Sequence, residues 1–182
     1  MTRTGGKNDQ MSMNFPTLGI ATQAEYDALP PKERIVIAAA YFADVEKVRE
    51  TGFNHGFWVA KFLKSVGLPE GFAWCNAFVS YVLGIAKVKG GPKTGRAAVR
   101  NWENWARDNN RLFPMDKAVR GDLIGYTLSS GKGHIEICTG QGESPGFKSS
   151  IGGNTGANGE REGDGVYRKR RQVKLSWWCI KL

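Results

Sequence analysis

Nucleophilic acyl chemistry needs a thiol or hydroxyl to attack, an imidazole to manage its proton, and a polar side chain to aim the imidazole. This chain has three cysteines, at 75, 138 and 179, and two histidines, at 55 and 134. Cys75 stands apart by context. The segment GLPEGFAWCNAFVSYVL places it a few residues after Gly71, at a loop-to-helix transition that opens a nearly all-apolar stretch. A thiol there meets unpaired backbone N–H groups and the positive end of the helix dipole, both of which favour thiolate. The same N–H groups can donate to the oxyanion formed when an amide carbonyl is attacked. The competing role, common for any cysteine, is that of a small buried hydrophobe.

His134 opens a β-like segment directly after a Gly-flanked turn, in SGKGHIEICTG. A strand fixes a ring better than a loop tip does, and a general base requires that. Its plainer role is a turn histidine bonded to its neighbours. His55, between Asn54 and Gly56 at a helix start, suits capping or the surface. Asn154, in SSIGGNTG, ends a strand twenty residues after His134 and is the expected residue to hold the imidazole's tautomer, although asparagine is also ordinary in such a turn. Glu136 is its rival, because period-two alternation puts it on the face of His134. There it can orient the ring, read substrate charge or line a cleft. Trp74 flanks the nucleophile and is a candidate cleft wall, with a core role as the alternative.

The elements that must position these residues follow from periodicity. Pro30-Pro31 opens a helix, and Ile35, Ala38, Ala39, Phe42, Val45 and Val48 continue it at helical spacing from Lys32 to about Glu50. A second helix is expected from His55 to Val66. A third, from Cys75 to about Lys87, is apolar nearly all round and therefore central. A fourth, capped by Thr94, reaches Asn109 with Ala98, Val99, Trp102 and Trp105 inward. After Pro114 the pattern turns to strands: 122–128 and 134–139 joined by a Gly-rich hairpin turn, then 147–152, 166–173 and 175–180. Helices first and strands second predict an α+β fold, with N-terminal helices packed on an antiparallel sheet of about five strands. The Gly-rich stretch 152–165 lacks a strand-to-helix context and is expected to be a connection, not a phosphate loop.

With 182 residues the chain fits one domain, expected over 31–182, preceded by a loosely attached leader over 1–30. No apolar run is long enough for a transmembrane helix or a secretory signal, so another agent is expected to carry the protein to an extracytoplasmic target. An odd cysteine count without C-x-x-C spacing points to reduced thiols, and two histidines without clustered ligands point to no metal and no cofactor. The formal charge is +9, and residues 160–182 carry seven Lys/Arg against three Asp/Glu, concentrated in Arg168-Lys169-Arg170-Arg171. That run suits an anionic cell-wall or membrane surface, or else a solvated edge strand. No nucleic-acid module surrounds it, so no specific nucleic acid is expected.

Taken in order, W-C-x-A-F-V from Trp74, G-D-L at 121–123, G-H-I at 133–135, the G-N-T of 153–155 and G-D-G-V-Y-R at 163–168 resemble the CHAP domain. This is the cysteine- and histidine-dependent amidohydrolase/peptidase group of peptidoglycan hydrolases, related to the NlpC-type cysteine peptidases. The similarity runs over residues 33–173. It implies a papain-like, NlpC-like fold, Cys75 as nucleophile, His134 as base, Asn154 as the orienting residue and a structural Asp122. It further implies bacterial peptidoglycan as substrate, cut at an N-acetylmuramoyl-L-alanine or peptide amide bond through a thioester by a monomer. The setting expected is a phage endolysin released by a holin, with a secretion-delivered effector as the alternative. Two other roles are a catalytically inactive wall-binding relative and a charge-driven nucleic-acid binder. The chain departs from the family pattern twice. Many CHAP domains carry Glu two residues before the Asn, where this chain has Gly152. The position of Glu136 is usually small or apolar.

Overall fold

The computed structural model describes residue 20 and residues 22–182. Its helical layer is built in chain order. Helix α1 (Gln23–Ala28) begins at a reciprocal cap, in which the Thr22 hydroxyl accepts from the Glu25 N–H and the Glu25 carboxylate accepts from the Thr22 N–H. Its Tyr26 is fully buried and donates to the Arg34 carbonyl at 2.9 Å. The expected loose leader over 1–30 is therefore corrected at its C-terminal end, where a docked helix stands; residues 1–19 and 21 lie outside the described residues. A six-residue helix held by one aromatic leaves too short a pattern for periodicity to register.

Helix α2 (Pro31–Ala40) starts at the expected Pro and runs into a π-helical turn, Tyr41–Val45. Lys47 takes a left-handed backbone with φ 47°, which ends the helix before the expected Glu50. Helix α3 (Phe57–Ser65) and helix α4 (Cys75–Ile85) follow, α4 being the buried central helix its composition predicts. Phe42 fastens the three together, with ring centroids 5.0 Å from Trp58, 5.2 Å from Phe62 and 6.0 Å from Phe78. Helix α5 (Val99–Asp108) buries Val99, Trp102 and Ala106. It begins after Ala98, which is exposed, so Thr94 is not its cap.

The chain then forms β1 (Leu112–Pro114), β2 (Leu123–Thr127), β3 (Gly133–Gln141), β4 (Phe147–Thr155), β5 (Gly165–Gln172) and β6 (Trp178–Ile180). These make one antiparallel sheet in the order β1-β6-β2-β3-β4-β5, with the N-terminal helices packed on it. The fold is α+β as expected, with six strands where about five were predicted. The extra strand is β1, three residues long at the sheet edge and ending in proline, which an edge tolerates. Along β3, Ile135 and Ile137 join the core with the helices, while His134, Glu136 and Cys138 alternate to the other side.

Asp122, just before β2, ties the layers together. Its fully buried carboxylate accepts from Lys32 at 2.6 Å, Lys181 at 2.8 Å and the Val119 N–H at 2.9 Å. Burial alone would raise its pKa, but these donors hold it below the ordinary aspartate value. Gly121 makes the close approach possible, since a Cβ there would stand 2.4 Å from the Lys32 Cβ. Among the described residues, no helix is long and apolar enough to cross a membrane.

Candidate active site

Cys75 is the first residue of α4, and Trp74 before it provides no side-chain cap. The first bond of the helix joins the Phe78 N–H to the Trp74 carbonyl at 2.9 Å, so the earlier N–H groups of the turn have no partner within the helix. Cys75 as a residue is 7% exposed, and its thiol is reduced. His134, next to the start of β3, pairs across the sheet with Tyr126 and is 1% exposed. Its Nε2 meets the Glu136 carboxylate at 3.0 Å. Nδ1 is buried and closes no hydrogen bond among the described residues, while the Cys75 thiol is near enough to act on the charge of the ring. Burial works against a charged ring here. Hydrogen bonding and charge from Cys75 and then Glu136 outweigh it, and His134 is pushed up to about 9. The imidazole therefore holds its proton at neutral pH beside the Glu136 carboxylate.

Glu136 is the most elaborately held side chain of the site. Besides His134 it accepts from the Ser150 hydroxyl at 2.6 Å and from Arg171 through Nε, at 3.1 and 3.0 Å to the two oxygens, and through Nη2. Burial would favour its neutral form, yet His134 and Arg171 drive its pKa far below the usual carboxylate range. Arg171 also donates to the Gly159 carbonyl at 3.1 Å and the Thr155 hydroxyl at 3.3 Å. It thereby pins the 156–164 loop over the carboxylate.

Of the expected residues, Cys75, His134 and Glu136 come together. Asn154 does not orient the ring: it stands at the end of β4 with φ 52°, and its Nδ2 donates to the Asn54 Oδ1 at 3.2 Å. The preference for Asn154 over Glu136 is thus corrected, because β3 and β4 run side by side and the carboxylate already occupies the position behind the imidazole. Trp74 is fully buried, stacked on Phe62 with its Nε1 donating to Glu50 at 2.7 Å, so it anchors the nucleophile's turn and is not a cleft wall. His55 is exposed, with Nδ1 against the Phe53 carbonyl. Cys138 and Cys179 lie in a separate apolar cluster with Met115, Ala118 and Ile124, and burial pushes both thiols up, Cys179 to about 11.

Sequence reasoning missed Arg171, Ser150 and Tyr126. Arg171 was hidden in a run that looks like a surface patch. In the fold, Arg171 pairs with Glu136, Arg168 with Asp44, and Lys169 donates to the Gly156 and Ala157 carbonyls, while Arg170 lies 3.7 Å over the Phe147 ring. Most of the run is spent on internal partners. No signal within the linear chain singles out Arg171, because its strand β5 is separated from the β3 of Glu136 by β4.

A cavity of about 420 Å³ reaches the imidazole from solvent, lined by Tyr126, His134, Arg161, Arg171, Lys174 and Trp177 among others. Thiol, imidazole and carboxylate are the parts acyl transfer needs; the cavity reaches the imidazole, and Cys75 is not among its lining residues. Among the described residues, no three His, Cys, Asp or Glu side chains gather as metal ligands. No family model matches the chain, and no match is found among curated proteins or solved structures, so its chemistry has to be read from the site's own geometry.

Proposed function

We propose that the protein is a cysteine-dependent amide hydrolase acting on bacterial peptidoglycan, with Cys75 as nucleophile, His134 as acid and base, and Glu136 as the residue that aims His134. The observation that carries this reading is the buried His134 imidazole bonded through Nε2 to the Glu136 carboxylate at 3.0 Å, with Cys75 at the head of α4 near enough to raise the ring's pKa. The wall substrate is supported by the ordered W-C, G-D-L, G-H-I and G-N-T segments that resemble CHAP domains.

In the first step the Cys75 sulfur attacks the amide carbonyl carbon, and N–H groups at the start of α4 receive the developing oxyanion. Collapse of the tetrahedral adduct breaks the C–N bond. His134 gives its proton to the departing amine, leaving a thioester on Cys75. Acylation removes the negative charge from sulfur, and with it one of the two forces that raise the imidazole. The neutral ring then takes a proton from water as that water attacks the thioester. The products are a free carboxyl group on the substrate and a restored thiol.

The test is digestion of purified sacculi, with new amine and carboxyl termini identified by mass spectrometry. Cys75→Ala is expected to reduce their release by on the order of 10⁴-fold while circular dichroism stays unchanged. Undiminished release by a folded Cys75→Ala protein would sink the assignment.

A further inference from the structure

A second cavity, of about 390 Å³, opens on the other side of the 156–164 loop, and its charge is opposite to that of the rest of the molecule. It is lined by Glu50, Phe53, Asn54, Asn154, Glu160, Glu162 and Asp164, with glycines and small residues of the loop, and by no Lys or Arg. In a chain of formal charge +9, four acidic side chains around one opening are not a general surface property.

Their partners sharpen the point. Glu50 is half-buried, and its oxygens accept from neutral donors, the Trp74 Nε1 at 2.7 Å and the Asn54 N–H at 2.8 Å. Asp164 accepts from the Tyr167 hydroxyl at 2.8 Å. Among the described residues, neither of these nor Glu160 is in an ion pair; Glu162 is paired with Arg161. At the cavity wall stands Asn154, 1% exposed, with Nδ2 engaged by Asn54 and Oδ1 buried without a partner. A buried carbonyl oxygen without a partner calls for a hydrogen-bond donor, and the carboxylates of Glu50 and Asp164, which are in no ion pair among the described residues, favour a donor that is positively charged. The carboxylates do not gather as a metal site. The width of the cavity and the exposed Phe53 ring at its wall suit an organic cation instead.

We propose that this cavity is a subsite for a primary ammonium group on the substrate peptide, held by Glu50, Asp164 and the Asn154 Oδ1. It rests on the proposed function only for the identity of the peptide. Two links place it beside the chemistry: Glu50 holds the indole of Trp74, the residue before Cys75, and Asn154 lies two residues beyond Gly152, which abuts Glu136.

The ammonium can be an α-amino terminus or a lysine-type side chain, and the test separates them. Binding to the full-length Cys75→Ala protein is measured by calorimetry for Ala-Ala-Ala-amide and for N-acetyl-Ala-Lys-Ala-amide, each against its fully acetylated counterpart. At least one free amine is expected to bind roughly tenfold tighter than its acetylated form, and Asp164→Asn and Glu50→Gln are each expected to erase the difference. Equal binding of free and acetylated peptides would overturn the proposal, as would a preference that survives both variants in proteins whose circular dichroism is unchanged. The readout is independent of hydrolysis: if sacculi are not cut, the proposed function fails while an amine preference still establishes the pocket.

Discussion

The carboxylate behind His134 comes from the histidine's own strand, β3. In-register pairing of Ile137 with Ile151 makes Glu136 and Gly152 cross-strand neighbours. A Cβ at position 152 would come within 2.7 Å of a Glu136 oxygen, so that carboxylate fills the space a side chain on β4 would use. The two positions at which the chain differs from the CHAP segments it resembles are one exchange in space: the carboxylate stands at 136, and the glycine opposite at 152 gives it room. Glu136→Ala is expected to lower kcat/KM by at least about 100-fold. The Glu136→Gly/Gly152→Glu double variant should recover much of that loss, measured on sacculi; recovery no better than Glu136→Gly alone would refute the exchange. The same residues set a pH profile. With His134 raised to about 9, activity should fall on an alkaline limb near pH 9, as the imidazolium that protonates the leaving amine is lost. Iodoacetamide should label Cys75 and spare Cys138 and Cys179 in the folded protein, because the latter two are fully buried with raised thiol pKa values. Peptide mapping reads this directly.

At the scale of elements, α4 is aimed by contacts that do no chemistry. The indole of Trp74 bonds to Glu50 and stacks on Phe62, while Gly153 lets β4 approach so closely that a Cβ there would stand 2.7 Å from the Trp74 ring. Asp122 plays the corresponding part between α2, the start of β2 and the segment after β6. Asp122→Ala strands two lysines that it now neutralises, and a buried pair broken from one side costs about 3–5 kcal/mol. The lysines are partly exposed and water can reach them, so the lower end of that range is expected. Urea unfolding should register the loss, whereas the activity per folded molecule stays near that of the unaltered protein.

For the whole molecule, the folded state is bounded by pH on both sides. Asp122 and Glu136 have lowered pKa values, so their stabilisation is complete above the ordinary carboxylate range. It is lost as pH falls through about 4 and toward their folded values. His134 has the opposite sign. Its folded pKa is raised from 6.5, so its contribution is complete below 6.5 and disappears as pH rises through about 9. Thermal unfolding followed across pH should therefore show a plateau between about pH 5 and 6.5 that declines in both directions. A Glu136→Gln protein should lose part of the acid-side decline.

Much of this architecture is legible in the linear chain because it is encoded locally. An apolar stretch led by cysteine reads as a buried helix with the thiol at its start, and alternation in GHIEIC puts His134 and Glu136 on one strand face. The short elements, α1 and β1, were not legible, since one buried tyrosine or three edge residues leave no repeat to detect. The choice between Asn154 and Glu136 lay further out of reach. It depends on strand register and on the empty space at Gly152, and neither is a property of any single segment. The same holds for Arg171, which reads as one charge in a basic run until β5 is laid beside β4 and its guanidinium meets Glu136. Sequence determines which groups exist and which face of an element each occupies. Tertiary structure alone decides which groups from different strands share one volume, because only there do burial and pairing make one carboxylate the imidazole's partner.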